Sequence, residues 1–183
     1  MTTRRVRGVV TRAGEGGARA RSWGFLLVLV LLPACGGDLS PTQPTDPAEA
    51  FFHPDLGVNL EEMTRTSSGL YLQDQHVGEG REAAAGDPIA VHYQGRLPSG
   101  HPFDHSTDGQ PFEFTLGVGH VIPGWDEGLV GMREGGLRLL VVPPDLGYGS
   151  QPTGPIPPNS ILVFWVQLVE VFVDDEEEEG ASG

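Results

Sequence analysis

Lysine is absent from the 183 residues, so all eleven positive charges are arginine guanidinium groups. Cysteine occurs once, at Cys35, which excludes an intrachain disulfide. Positive charge is itself scarce, and 25 acidic residues bring the formal net charge to −14. Six of the arginines (Arg4, Arg5, Arg7, Arg12, Arg19, Arg21) precede the first apolar run with one acid, Glu15. The remainder keeps five arginines against 24 acids, a net of −19. A surface of that sign repels phosphate backbones and anionic lipid, so nucleic acid is not an expected partner. Familiar catalytic signatures are missing as well: there is no Gly-x-Ser-x-Gly, no phosphate loop and no dinucleotide fingerprint. The six histidines (His53, His76, His92, His101, His105, His120) never take zinc-ligand spacing. His101 and His105 are four apart, but Pro102-Phe103-Asp104 argues against a helix that would align them, and all six are read as surface residues. Neither a nucleophile, a cofactor site nor a metal site is expected.

No apolar run approaches the ~20 residues that cross a bilayer as a helix. Trp23–Leu32 (WGFLLVLVLL) has instead the length of a secretory h-region, with arginine-rich sequence before it and Leu32-Pro33-Ala34-Cys35 after it. That ending resembles a bacterial lipobox, in which a small residue precedes the cysteine that accepts the lipid. Residues 1–34 therefore read as a lipoprotein signal peptide and Cys35 as the lipidation site. The location expected is extracytoplasmic, lipid-anchored to a bacterial membrane. Because Gly36 and not aspartate follows Cys35, this would be the outer membrane, facing the periplasm, in a host with two membranes. Residues 36–50, rich in Pro, Gly and Thr, read as a tether with a reach of roughly 20 Å. Residues 51–68 form an N-terminal extension with enough apolar side chains to pack on the domain, and residues 174–183 read as a solvated acidic tail.

Between extension and tail, residues 69–173 are mostly strand. Gly69–Val77 alternates imperfectly; Ile89, Val91 and Tyr93 share one strand face, Phe112 and Phe114 another; Leu137–Val142 is apolar; Ile161–Val173 is long and β-branched. Gly-, Pro- and Asp-rich breaks separate these runs, and Gly124–Met132 alone looks helical. Antiparallel strands with one short helix make an α+β domain.

The most informative stretch is Val121-Ile122-Pro123-Gly124-Trp125-Asp126-Glu127-Gly128. A Pro-Gly break opens a brief helix, which places a large ring at the helix mouth beside two strand-like apolar residues. Such a ring either fills the core or lines an apolar cavity. Tyr93, Phe103, Phe112, Val121, Ile122, Tyr148, Ile156 and Phe164 supply further apolar groups at strand ends and loops, with one carboxylate, Asp104.

Val91-His92-Tyr93-Gln94-Gly95, Phe103-Asp104, Val121-Ile122-Pro123-Gly124-Trp125, Pro143-Pro144-Asp145-Leu146-Gly147-Tyr148-Gly149 and Ile156-Pro157-Pro158-Asn159, in this order and spacing, resemble the FKBP-type peptidyl-prolyl isomerases. The resemblance covers Gly69 to Val173. It implies a twisted antiparallel sheet of about five strands wrapped around one short α-helix, with a pocket between them. It also implies site roles: Trp125 as pocket floor; Phe112, Val121, Ile122 and Phe164 with Tyr93 as walls; Tyr148 and the Ile122 N–H as donors to substrate carbonyls; Ile156 above the ligand; Phe103 and Asp104 beside the prolyl amide. The implied partners are proline-containing unfolded or nascent envelope and secreted proteins, with macrolide immunosuppressants as inhibitors. One departure stands out. Many relatives pair the aspartate with a loop arginine, and residues 105–110 contain none. A catalytically weak module that holds proline segments is the alternative reading.

Overall fold

The computed structural model describes residues 43–106 and 109–172. The signal-peptide, Cys35 and acidic-tail expectations lie outside these residues, as does the first part of the tether.

Seven strands form one antiparallel sheet: β1 (Thr64–Arg65), β2 (Tyr71–His76), β3 (Pro88–Arg96), β4 (Pro102–His105), β5 (Phe112–Thr115), β6 (Leu137–Val142) and β7 (Leu162–Val171). The order is β1-β2-β6-β7-β3-β4, with β5 also on β3. β4 and β5 share one edge of β3, because β5 takes Pro88–Val91 and β4 takes Gln94–Arg96. The expected sheet and single helix are both present. The additional strands, β1 and β4, are two and four residues long and too short for alternation to reveal. Alternation in β2 is imperfect because both of its faces are covered, Tyr71 being buried on one side and Leu72 packed on the other; a register shift follows between Asp74 and His76.

The helix α1 (Pro123–Gly128) ends four residues short of Met132. Proline at its first position costs nothing there, since that N–H has no helical partner, and Gly131 beyond its end has φ of 77°. Its glycines bring it close to the sheet. A Cβ at Gly124 would lie 2.6 Å from Val142 Cγ1, and one at Gly128 would lie 2.9 Å from Leu140 Cδ2. Arg138, buried in β6, closes the far end of α1. Its guanidinium donates to the Gly128 carbonyl at 2.8 Å and forks onto Asp74 at 2.7 and 3.1 Å. A cation at a helix C-terminus meets carbonyls that lack helical partners.

Both faces of the central strands are covered. Leu140, Val142, Leu162, Phe164, Val166 and Leu168 pack with Trp125 and Leu129 on the helix side. Leu139, Val141, Ile161 and Val163 pack on the opposite side with Leu56 and Met63 of the extension. Phe52 joins this second core together with Trp165, whereas Phe51 is 80% exposed. The end of the expected tether also carries structure, a 3-10 turn over Pro47–Glu49 capped by the Asp46 side chain. Pro47 is buried there, and Ala50 packs on the second core, which orders residues that composition alone reads as a tether.

Candidate active site

A cavity of about 480 Å³ opens between α1 and the concave face of the sheet. Each wall comes from a different element. β3 provides Tyr93, β4 Asp104, β5 Phe112 and β7 Phe164, and the β5–α1 loop provides His120, Val121 and Ile122. Trp125 of α1 also borders it, as do Gly147 and Tyr148 just after a 3-10 turn, Pro144–Leu146. Trp125 is 4% exposed, so nearly all of its ring is held in the core while it still borders the opening.

The aromatic rings brace one another at right angles. Trp125 stands 5.0 Å from Tyr93 at 81° and 5.3 Å from Phe164 at 80°. Phe112 lies edge-on to Trp125 at 6.4 Å, and Phe114 tilts against it at 5.8 Å. Edge-to-face pairs of this kind hold rings in place beyond simple area burial. The indole Nε1–H is buried and has no acceptor among the described residues.

Polar groups sit at the edge of this apolar lining. The Tyr93 hydroxyl donates to Asp104 Oδ2 at 2.8 Å, and the His105 N–H donates to Oδ1 at 2.9 Å. These donors occupy the aspartate without the loop arginine that many relatives supply. Burial is the main cause that raises the Tyr93 hydroxyl above the ordinary tyrosine range; the hydrogen bond to Asp104 and its charge add to this. Burial, followed by the Asp104 charge, raises Tyr148 in the same direction. Both phenols therefore remain protonated donors at neutral pH. Among the described residues, neither the Tyr148 hydroxyl nor the Ile122 N–H has an acceptor. The Ile122 carbonyl, in contrast, accepts from the Trp125 N–H at 2.9 Å. The site thus offers two free donors above an apolar floor.

Eight of the ten residues expected at the pocket border the cavity: Tyr93, Asp104, Phe112, Val121, Ile122, Trp125, Tyr148 and Phe164. Two are placed differently. Phe103 does not border it but stands behind Phe164, with the rings perpendicular at 5.4 Å. Ile156, expected above the ligand, is 5% exposed and packs in the main core. The Thr153–Ile156 bridge closes a tight turn, and the apolar side chain turns inward from it. His120, Pro123 and Gly147 are lining residues that the sequence reading missed. His120 immediately precedes Val121-Ile122 and is exposed, so being a surface residue and being a lining residue are compatible.

A sheet wrapped on one short helix, with a cavity lined mainly by aromatic and apolar side chains, matches known proteins along most of its length. A model of the family described as FKBP-type peptidyl-prolyl cis-trans isomerase matches residues 79–169. An FK506-binding protein of Neisseria meningitidis serogroup B is 50% identical over 106 residues, which is 57% of this chain and 97% of that protein. FK506-binding protein 4 of Mycosarcoma maydis is 48% identical over 117 residues, 64% of this chain; the match spans about a third (31%) of the fungal protein. Among solved structures, FkpA from Escherichia coli superposes with a TM-score of 0.56 at 43% identity, covering 61% of this chain and 52% of that one. The chain belongs to the FKBP-type peptidyl-prolyl cis-trans isomerases.

Proposed function

We propose that this protein accelerates rotation about X–Pro bonds in extracytoplasmic polypeptides by binding the twisted amide in the Trp125 cavity. The observation that carries this reading is the pairing of an aromatic floor with two unoccupied donors, the Tyr148 hydroxyl and the Ile122 N–H. Rotation meets a barrier of about 18–20 kcal/mol because amide resonance must be lost, and unaided it takes tens to hundreds of seconds. A twisted amide has less charge separation than a planar one, so an apolar, water-poor cavity favours it over either flat isomer. That preference is transition-state binding and requires no covalent step. At about 1.36 kcal/mol per tenfold, roughly 7 kcal/mol would supply five decades of rate. Tyr148 and Ile122 would hold the substrate carbonyls, Tyr93 and Phe164 would flank the prolyl ring, and Asp104 would fix the Tyr93 hydroxyl. Macrolides of the FK506 type would compete for the same cavity, as the names of the bacterial and fungal relatives suggest.

Lipid anchoring at Cys35, with the tether holding the domain clear of the membrane, would direct the activity to unfolded envelope and secreted chains. A protease-coupled assay on a proline tetrapeptide tests the catalytic reading. A wild-type rate no faster than buffer would overturn it in favour of a module that holds proline segments. Incorporation of labelled palmitate into wild type but not into Cys35→Ala tests the anchor.

A further inference from the structure

The loop between β5 and α1 carries three consecutive lining residues, His120, Val121 and Ile122, and its backbone makes few hydrogen bonds to other elements among the described residues. At its start, the Leu116 N–H donates to Asp87 O and its carbonyl accepts from Gly86. At its end, the Ile122 carbonyl caps the helix. Between these points, among the described residues, the backbone is bonded outward through a single side chain. Asp126 Oδ1 accepts from the Gly117 N–H and Oδ2 from the Gly119 N–H, each at 2.8 Å. Gly117 and Gly119 have φ of 76° and 78°, the left-handed region where glycine is at little cost. These conformations turn two nearby N–H groups toward one carboxylate, the anion-facing arrangement of a backbone nest.

Asp126 is the residue after Trp125. The carboxylate that holds the loop is therefore one peptide away from the cavity floor, on the same rigid helical turn. We infer that Asp126 is a positioning residue, which fixes the wall formed by Val121 and the Ile122 donor at a set distance above the Trp125 floor. The Asp126 side chain does not border the cavity, so it acts through the loop. The inference rests on the isomerase reading of that cavity and names the group that keeps it in register. Precise placement of a donor is worth large rate factors because misplacement of about 1 Å can cost a hundredfold. Leu116 anchors the start of the loop in the main core, and Val121 and Ile122 pack against that core at its end. Val118 at the tip is 51% exposed, which leaves the Asp126 carboxylate as the tie of the Gly117–Gly119 turn between them.

Asp126→Asn tests this. An amide offers one acceptor oxygen and presents N–H groups to the other loop amide, so one bond is lost and a donor–donor clash is created. The expected result is faster hydrogen exchange at the Gly117 and Gly119 amides, with a rise of about fivefold or more in the proline-peptide KM. The melting temperature should stay within about 3 °C of wild type, because the helix remains packed in the core. Asp126→Glu, which restores two acceptors, should recover most of the affinity. Unchanged exchange at both glycines would overturn the inference. So would faster exchange with wild-type KM, kcat and peptide affinity. A wild-type protein without isomerase activity would sink the catalytic reading alone. The loop tie would then be judged by NMR titration of the proline peptide, which needs no turnover, and equal affinity in Asp126→Asn would refute it.

Discussion

The Tyr93 hydroxyl reaches Asp104 Oδ2 at 2.8 Å across the β3–β4 ladder, in which Gly95 pairs with Asp104. The antiparallel register sets this distance and turns both groups to the cavity edge. Tyr93→Phe keeps the ring against Trp125 and removes the hydroxyl. Because Asp104 is exposed and water can replace the lost donor, the stability cost should be at most about 1 kcal/mol. Isomerase kcat/KM should fall by about tenfold through loss of order at Asp104. Wild-type activity in Tyr93→Phe would show that the pair does not contribute to the site.

Trp125→Leu removes the floor while keeping an apolar side chain. A loss of about 2–3 kcal/mol in unfolding free energy is expected, below the ~3–5 typical of truncating a large aromatic to alanine. The protease-coupled rate should drop by at least about tenfold. Comparable loss of affinity for a macrolide, read by calorimetry, would tie the effect to the cavity.

Titration above neutral pH probes the two phenols. Burial raises both folded-state values above the ordinary tyrosine value of about 10. Below pH ~10 both folded and unfolded chains keep these protons, so the tyrosines add no pH dependence. Above it the unfolded chain releases protons that the native state retains, and stability falls as pH rises toward the folded values. Denaturant midpoints measured from pH 8 to 11 should therefore decline more steeply at the alkaline end in wild type than in Tyr93→Phe.

Gly95 lies opposite Phe164 in the β3–β7 ladder. A Cβ there would come within 2.6 Å of Phe103 Cε2 and 2.9 Å of Phe164 Cε1. Gly95→Ala should cost about 1–3 kcal/mol through overpacking, and activity should fall because the Phe164 wall is displaced. A fully active, undestabilised alanine variant would contradict the ring contacts.

Removal of the residues before Met63 exposes Leu139, Val141, Ile161 and Val163, all 2% exposed or less in the full structure. At roughly 1.5–3 kcal/mol per buried aliphatic side chain, several kcal/mol are at stake. A lower melting temperature and a red-shifted Trp165 emission, absent in a Trp165→Phe background, are expected. Unchanged emission and stability would mean that Phe52 and Leu56 contribute no cover.

The pattern of strand, break and strand, the position of the helix at Pro123 and eight of the cavity residues were legible in the sequence. Local chemistry decides these features. Alternation over Pro88–Arg96 and β-branched density over Leu162–Val171 point to strands, and Pro-Gly before Trp125 starts a helix. Arg138 was not legible as a helix cap, because its partners Asp74 and Gly128 are 64 and 10 residues away. The apolar run Leu137–Val142 does not by itself say what covers Leu139, which the extension buries. Ile156 opens one of the five motifs that carry the family resemblance, but the Thr153–Ile156 bridge turns it into the core. Composition and spacing thus determined which residues could form an apolar, nucleophile-free cavity. Tertiary structure decided which of them face it and what holds them there, because side-chain direction depends on strand register, turn closure and bonds between residues far apart in the chain.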